Sequence, residues 1–194
     1  MSTTTIGVLA LQGAFIEHEK SLQVCGAETR QIRLPEQLKG LDGLVIPGGE
    51  STTMGKLLMA YELLQPIKEM AKEGIPIFGT CAGMIMLAKE IVNSNQTSLS
   101  LMDIVVERNA FGRQVESFEA DISVSEFGEE PYNAVFIRAP YIVSASPGVK
   151  IMASYDEKII LARQNNFLTA AFHPELTEDL RLHKYFLEMV TSYK

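Results

Sequence analysis

Short apolar runs alternate with helically spaced segments through the first half of the chain. Thr5 to Leu11 reads as a strand, and Ala14 to Val24 as a helix closed by Gly26. Glu28 to Leu34 is a second extended run, stopped by Pro35, and Leu44-Val45-Ile46 a third, halted by Pro47-Gly48-Gly49. Thr52 to about Leu64 and Pro66 to Lys72 carry helical spacing, with Gly74 as a stop. Ile75 to Phe78 is a fourth strand and Ala82 to Ile91 the next helix. Short apolar strands separated by helices predict a parallel sheet covered on both faces.

The pattern changes in the second half. Phe118 to Val124 alternates apolar and polar residues, the period of a strand with one wet face. Extended runs follow at Ala134 to Arg138, Lys150 to Ser154, Lys158 to Arg163 and Leu168 to Phe172, several of them separated by Pro147-Gly148 and Asn165-Asn166. These predict an antiparallel extension of the first sheet or a second layer on it. An amphipathic helix from Thr177 to about Tyr193 ends the chain. With no internal repeat and no linker, the expectation is one α/β domain over residues 1–194, flavodoxin-like, its mostly parallel sheet flanked by helices.

Composition narrows the function. A chain of 194 residues that is 46% hydrophobic and 21% charged can bury a full core and is not disordered. A formal charge of -7 argues against a nucleic-acid groove, because phosphate calls for a basic surface. No apolar stretch approaches the roughly 18 residues needed to span a bilayer. Residues 6 to 11 are too short, and lack the preceding charge, for a signal peptide. These features together predict a cytoplasmic protein, with Asn95-Gln96-Thr97 a plain polar loop and Cys25 and Cys81 kept reduced. Two cysteines and scattered histidines make no metal site, and no cofactor is expected.

Candidate chemistry begins at Gly79-Thr80-Cys81-Ala82-Gly83, where a strand turns into a helix. A sharp strand-to-helix turn exposes its central residue, and flanking glycines allow the close approach it needs. Helix N–H groups favour the thiolate, and that of Ala82 is placed to donate to an oxyanion. The alternative is a small hydrophobe at a tight turn. A thiol nucleophile also needs a base and an orienting group. His18 lies among Glu17, Glu19 and Lys20, and His183 between Leu182 and Lys184, so both are expected on solvated faces. His173 instead ends an apolar run and is followed by Pro174-Glu175. In an extended backbone His173 and Glu175 share a face, which lets the carboxylate orient the ring. Cys81 attacking, His173 moving the proton and Glu175 holding the imidazole is the resulting expectation. Pro47-Gly48-Gly49-Glu50-Ser51 offers N–H donors at Gly48 and Gly49 for the same oxyanion, with Glu50 and Ser51 to grip a polar substrate. Its alternative is a plain turn with Ser51 or Thr52 capping the next helix.

Taken together, these three stretches resemble the triad-type (class I) glutamine amidotransferases along the whole chain. The narrower likeness is to the glutaminase subunits of pyridoxal 5'-phosphate synthase, the PdxT family. It is carried by Gly7 to Gly13 with Glu17-His18, Pro47 to Thr53, Arg108-Asn109-Ala110-Phe111-Gly112-Arg113-Gln114 and Phe136 to Pro140. The resemblance implies that glutamine is held by Gly49, Glu50, Ser51, Arg108, Ile137 and Arg138. It also implies hydrolysis through a glutamyl thioester and delivery of ammonia to a (β/α)₈-barrel subunit that makes pyridoxal 5'-phosphate. The alternatives are the glutaminase subunit of another synthase, such as imidazole glycerol phosphate synthase, a γ-glutamyl hydrolase, a non-catalytic binding module on the same fold, and a cysteine peptidase.

Overall fold

The structure is a computed structural model and describes residues 3–109, 111 and 116–193. In chain order its elements are β1 (Thr5–Leu9), α1 (Phe15–Val24), β2 (Glu28–Ile32), β3 (Gly43–Ile46), α2 (Ser51–Ala60) and α3 (Leu64–Lys72). Then come β4 (Ile77–Thr80), α4 (Ala82–Leu87), β5 (Ala88–Ile91), β6 (Met102–Glu107), β7 (Ser117–Ile122) and β8 (Tyr132–Ile137). The chain ends with β9 (Tyr141–Ala145), β10 (Lys150–Tyr155), β11 (Lys158–Gln164), β12 (Phe167–Ala170) and α5 (Arg181–Tyr193).

Among the described residues, one sheet runs in the order β2-β1-β3-β4-β12-β11-β9-β6-β5, with β10 added beside β11. Its first five strands are parallel, and β11 turns the direction by pairing antiparallel with β12. The apolarity of β3 and of β4 up to Thr80 has a simple cause: every residue in both strands is buried. Helix α1 packs on α5, and α2 on α4. No helix among the described residues is long and apolar enough to cross a membrane.

Both forms expected for the second half occur. Strands β9, β10 and β11 extend the first sheet antiparallel, while β7 and β8 pair as a separate two-stranded sheet. Residues 102–107 and 141–145, to which the pattern assigns no element, pair with each other as β6 and β9. The helix expected over Ala82 to Ile91 ends at Leu87, because Ala88 to Ile91 pair in parallel with β6. Met84 to Ala88 are all buried, so their apolarity does not discriminate helix from strand. The partner strand decides. The last helix starts at Arg181 instead of Thr177, after a short 3₁₀ turn at Pro174–Leu176.

Candidate active site

Register brings the site together at the carboxyl ends of three adjacent parallel strands, where ligands bind in open α/β sheets. Ile46 of β3 pairs with Gly79 of β4, and Ala170 of β12 pairs with Thr80. Cys81 N–H donates to Ala170 O at 2.8 Å, so the chain beyond β12 leaves beside the cysteine. His173 N–H donates to Val135 O on β8 at 2.8 Å, which fixes the turn carrying its ring.

The turn at Cys81 is strained. Its φ of 51° and ψ of -105° lie where side-chain-bearing residues rarely sit. The flanking glycines are required for close approach. A Cβ on Gly79 would lie 2.5 Å from Gly83 O, and one on Gly83 would lie 2.1 Å from Ile46 O. Asn109 (φ 51°) and Arg138 (φ 42°) share the left-handed conformation, and both line the same cleft as Cys81. Backbone strain of this kind gathers at functional sites.

The cleft has a volume of about 240 Å³ and is lined by Gly49, Glu50, Ser51, Cys81, Ala82 and His173 together with Arg108, Ile137, Arg138, Ile85 and Asn109. Each residue expected to hold substrate therefore borders one pocket. Gly48 approaches the triad from β3: a Cβ there would meet His173 Cε1 at 2.5 Å and Cys81 Cβ at 3.4 Å. Ala110, Gly112, Arg113 and Gln114 of the stretch singled out in the sequence lie outside the described residues.

His173 interacts with both expected partners. Its Nδ1 is 2.7 Å from Glu175 Oε1, and Cys81 acts electrostatically on the ring. Burial opposes a charge on the imidazole, but Cys81 and then Glu175 outweigh it and raise its pKa to about 10. Cys81 Sγ also lies 3.9 Å from Ile137 O. For Glu175, burial works against ionisation, yet His18 and His173 together hold its pKa below the ordinary range. One expectation changes in detail. His173 (φ -106°, ψ 86°) opens a 3₁₀ turn that includes Glu175, so the two meet across a turn and not along an extended strand.

Glu50 borders the cleft, but its carboxylate is committed elsewhere. It caps α2, accepting from Thr52 N–H at 3.1 Å and Thr53 N–H at 2.7 Å, and from both threonine hydroxyls. The cap is thus Glu50, not Ser51 or Thr52. The hydroxyl bonds to Thr52 and Thr53 lower its pKa to about 2. A depressed carboxyl pKa gives stability that is present above its unfolded value and lost as the pH falls toward the folded one. Glu50→Ala is therefore expected to lose about 1 kcal/mol at pH 6, much of that difference vanishing by pH 3, in urea melts at both pH values.

Several residues at the site escaped the sequence. Gln12 grips the main chain of Glu50 from both sides, accepting from its N–H at 3.2 Å and donating to its O at 2.7 Å. Gln96, in the stretch expected to be a plain loop, has Oε1 accepting from Arg108 Nη1 at 2.8 Å and from Ser51 Oγ at 3.3 Å. His18 and His183, expected on solvated faces, are each 0% exposed. Helical spacing carried the signal: His18 falls in register with buried Ser21 and Leu22, and His183 with buried Phe186 and Val190. Cys25 and Cys81 are both free.

A family profile described as the SNO glutamine amidotransferase family matches residues 8–192. The chain belongs to that family. A relative from Desulforamulus reducens, named pyridoxal 5'-phosphate synthase subunit PdxT, is 65% identical over 95% of this chain and 98% of its own length. A second PdxT, from Pelotomaculum thermopropionicum, is 63% identical over 94% of this chain and 93% of its own. A solved structure described as a glutamine amidotransferase superposes with a TM-score of 0.91 at 49% identity, covering 96% of this chain and 98% of that one. In this chain the strand-end cysteine, the His-Pro-Glu turn and the Pro-Gly-Gly loop meet at one cleft.

Proposed function

We propose that the chain is the glutaminase subunit of pyridoxal 5'-phosphate synthase, with residues 1–194 acting as one unit in the cytoplasm. The observation that carries the reading is His173 held between Cys81 and buried Glu175, inside an amino-acid-sized cleft bordered by Arg108 and Arg138. The two guanidinium groups suit the α-carboxylate of glutamine. Main-chain acceptors of the 49–51 and 137–138 segments suit its ammonium group. Glu50 contributes through its backbone and the negative charge it keeps while capping α2.

In the resting site the raised pKa of His173 keeps its ring protonated beside the sulfur at neutral pH. The Cys81 thiolate attacks the side-chain amide carbon of glutamine, forming the C–S bond. The N–H groups of Ala82, Gly48 and Gly49 receive the oxyanion. His173 gives its proton to the amide nitrogen, the C–N bond breaks, and ammonia departs. The neutral ring then takes a proton from water, whose oxygen attacks the thioester. Breaking the C–S bond frees glutamate and restores the thiolate and imidazolium. Free ammonia becomes mostly ammonium in neutral water and loses its nucleophilicity, which is why delivery to a joined (β/α)₈-barrel synthase subunit makes chemical sense.

Ammonia release from glutamine, measured with and without that barrel subunit, tests the reading. Stimulation of about tenfold or more by this partner is expected, of a size typical of completing a catalytic constellation. Equal stimulation by an unrelated synthase, or hydrolysis of γ-glutamyl peptides in preference to glutamine, would favour the sister amidotransferases or a γ-glutamyl hydrolase.

A further inference from the structure

Two buried histidines stand behind the triad, and the glutamine chemistry above does not use them. His18 Nε2 lies 3.3 Å from Glu175 Oε2 and 3.0 Å from Thr80 Oγ1. His18 Nδ1 lies 3.0 Å from His183 Nε2. Glu175 spends its other oxygen, Oε1, on His173. Its buried Oε2 accepts no hydrogen bond among the described residues, and the His18 ring nitrogen approaches it as a charge–dipole contact.

The proton positions follow from chemistry. An ionised carboxylate only accepts, so a nitrogen facing it must carry hydrogen. If His18 carries its proton on Nε2 and the ring is neutral, Nδ1 accepts, and His183 must donate from Nε2. His183 Nδ1 is then a bare lone pair, and that atom is buried without a partner among the described residues. The opposite arrangement would point the His18 lone pair at the carboxylate and strand a buried N–H on His183. It fails at both ends, because a buried unpaired donor and a lone pair against a carboxylate are each unfavourable.

We propose that His18 is a positioning residue for catalysis: its Nε2–H, hydrogen-bonded to Thr80 Oγ1, sets the positive edge of the ring 3.3 Å from Glu175 Oε2, and His183 selects the tautomer that puts the proton there. Thr80, one residue before the nucleophile, ties the same ring to the Cys81 turn. The carboxylate is thus bonded through Oε1 to His173, with the N–H edge of His18 lying behind Oε2. Such support fixes a ring for proton transfer to about the half-ångström that catalysis demands.

Burial lowers the pKa of both histidines; His183 is pushed down to about 3, with His18 the next cause. Both stay neutral at working pH. The titratable groups around Glu175 are His173, His18 on α1, His183 on α5 and Tyr132 on β8, with Cys81 behind His173 and Glu17 acting on His18. The ring that changes charge as the pH rises is therefore His173, and the alkaline limb of kcat reports it.

The inference rests on the glutaminase reading, and two measurements keep the two separable. In the wild-type chain at neutral pH, ¹⁵N NMR of the histidine rings is expected to show a neutral His18 protonated at Nε2 alone. A proton on Nδ1, or a charged His18 ring, overturns the proposal whatever the activity. In the complex with the barrel subunit, His18→Phe keeps the ring shape without the hydrogen bonds, while His18→Gln returns an N–H near Nε2. Loss of about tenfold or more in kcat with KM within about twofold, and a lowered alkaline limb, are expected for H18F, most of it restored in H18Q. Equal losses in both variants would mean packing alone, and wild-type kinetics in H18F would mean no role. A wild-type complex inert toward glutamine would instead remove the glutaminase reading and leave the NMR result to judge the histidine string.

Discussion

Cys81→Ala is expected to abolish glutamine hydrolysis, with a loss of about 10⁴-fold or more, while the fold survives. No other thiol can replace it: Cys25 lies on the far end of α1, against Lys184 and Leu187 of α5. Removing the nucleophile of a triad removes covalent catalysis altogether, leaving only binding and the oxyanion donors. The fold should survive because the thiol is a small group lining a cleft, and the main-chain bond to Ala170 O does not depend on the side chain. A second substitution separates chemistry from strain. Glycine tolerates the φ of 51° that any other residue resists, so Cys81→Gly should be as inactive as Cys81→Ala and at least as stable. Ammonia release in the complex and thermal melts of both variants check the pair. Residual activity within about tenfold of wild type would remove Cys81 from the mechanism; a Gly variant less stable than the Ala variant would deny the strain.

Gly83→Ala carries the second large effect, this time on stability. The added methyl would sit 2.1 Å from Ile46 O and 3.1 Å from Ile46 C, both main-chain atoms of the buried strand β3. Backbone in the middle of a parallel sheet cannot step aside as a flexible side chain can. Helix α4 must lift off the sheet, and with it the Cys81 turn. A loss of about 3 kcal/mol, at the upper end for overpacking, is expected, with a fall in melting temperature of roughly 10 °C for a chain this size. Gly148→Ala is the matched control: a Cβ there meets nothing within 4 Å, and its change should stay within about 0.5 kcal/mol. Gly83→Ala melting alongside that control would show that the close approach has no structural weight.

What the chain could reveal about its site was governed by distance along the sequence. Gly79, Cys81 and Gly83 were legible because a nucleophile turn is a local object, built from backbone conformation and small residues within one turn of chain. His173 and Glu175 were legible for the same reason, although the turn that joins them is 3₁₀ and not extended. Arg108 and Arg138 were different. No local pattern distinguishes a cleft arginine from a surface one, and resemblance to a family had to supply both.

Gln12, Gln96 and His18 were not legible in this way. Each acts on a partner 12 to 157 residues away, Gln96 on Arg108 and His18 on Glu175, with Gln12 meeting Glu50 across β1 and β3. His18 was misjudged because Glu17, Glu19 and Lys20 look like a wet face, whereas one helix face can be buried amid charged neighbours on the others. By itself the sequence determined the alternation of strands and helices, the parallel half of the sheet and the strained cysteine turn, all of which follow from local periodicity and backbone sterics. Only the tertiary structure decided that Ala88–Ile91 and residues 102–107 are strands, that β3, β4 and β12 lie side by side, and that His18 and His183 are buried in a row behind Glu175. Pairing and burial belong to the partners an element meets, and those partners are chosen by the packing of the whole chain.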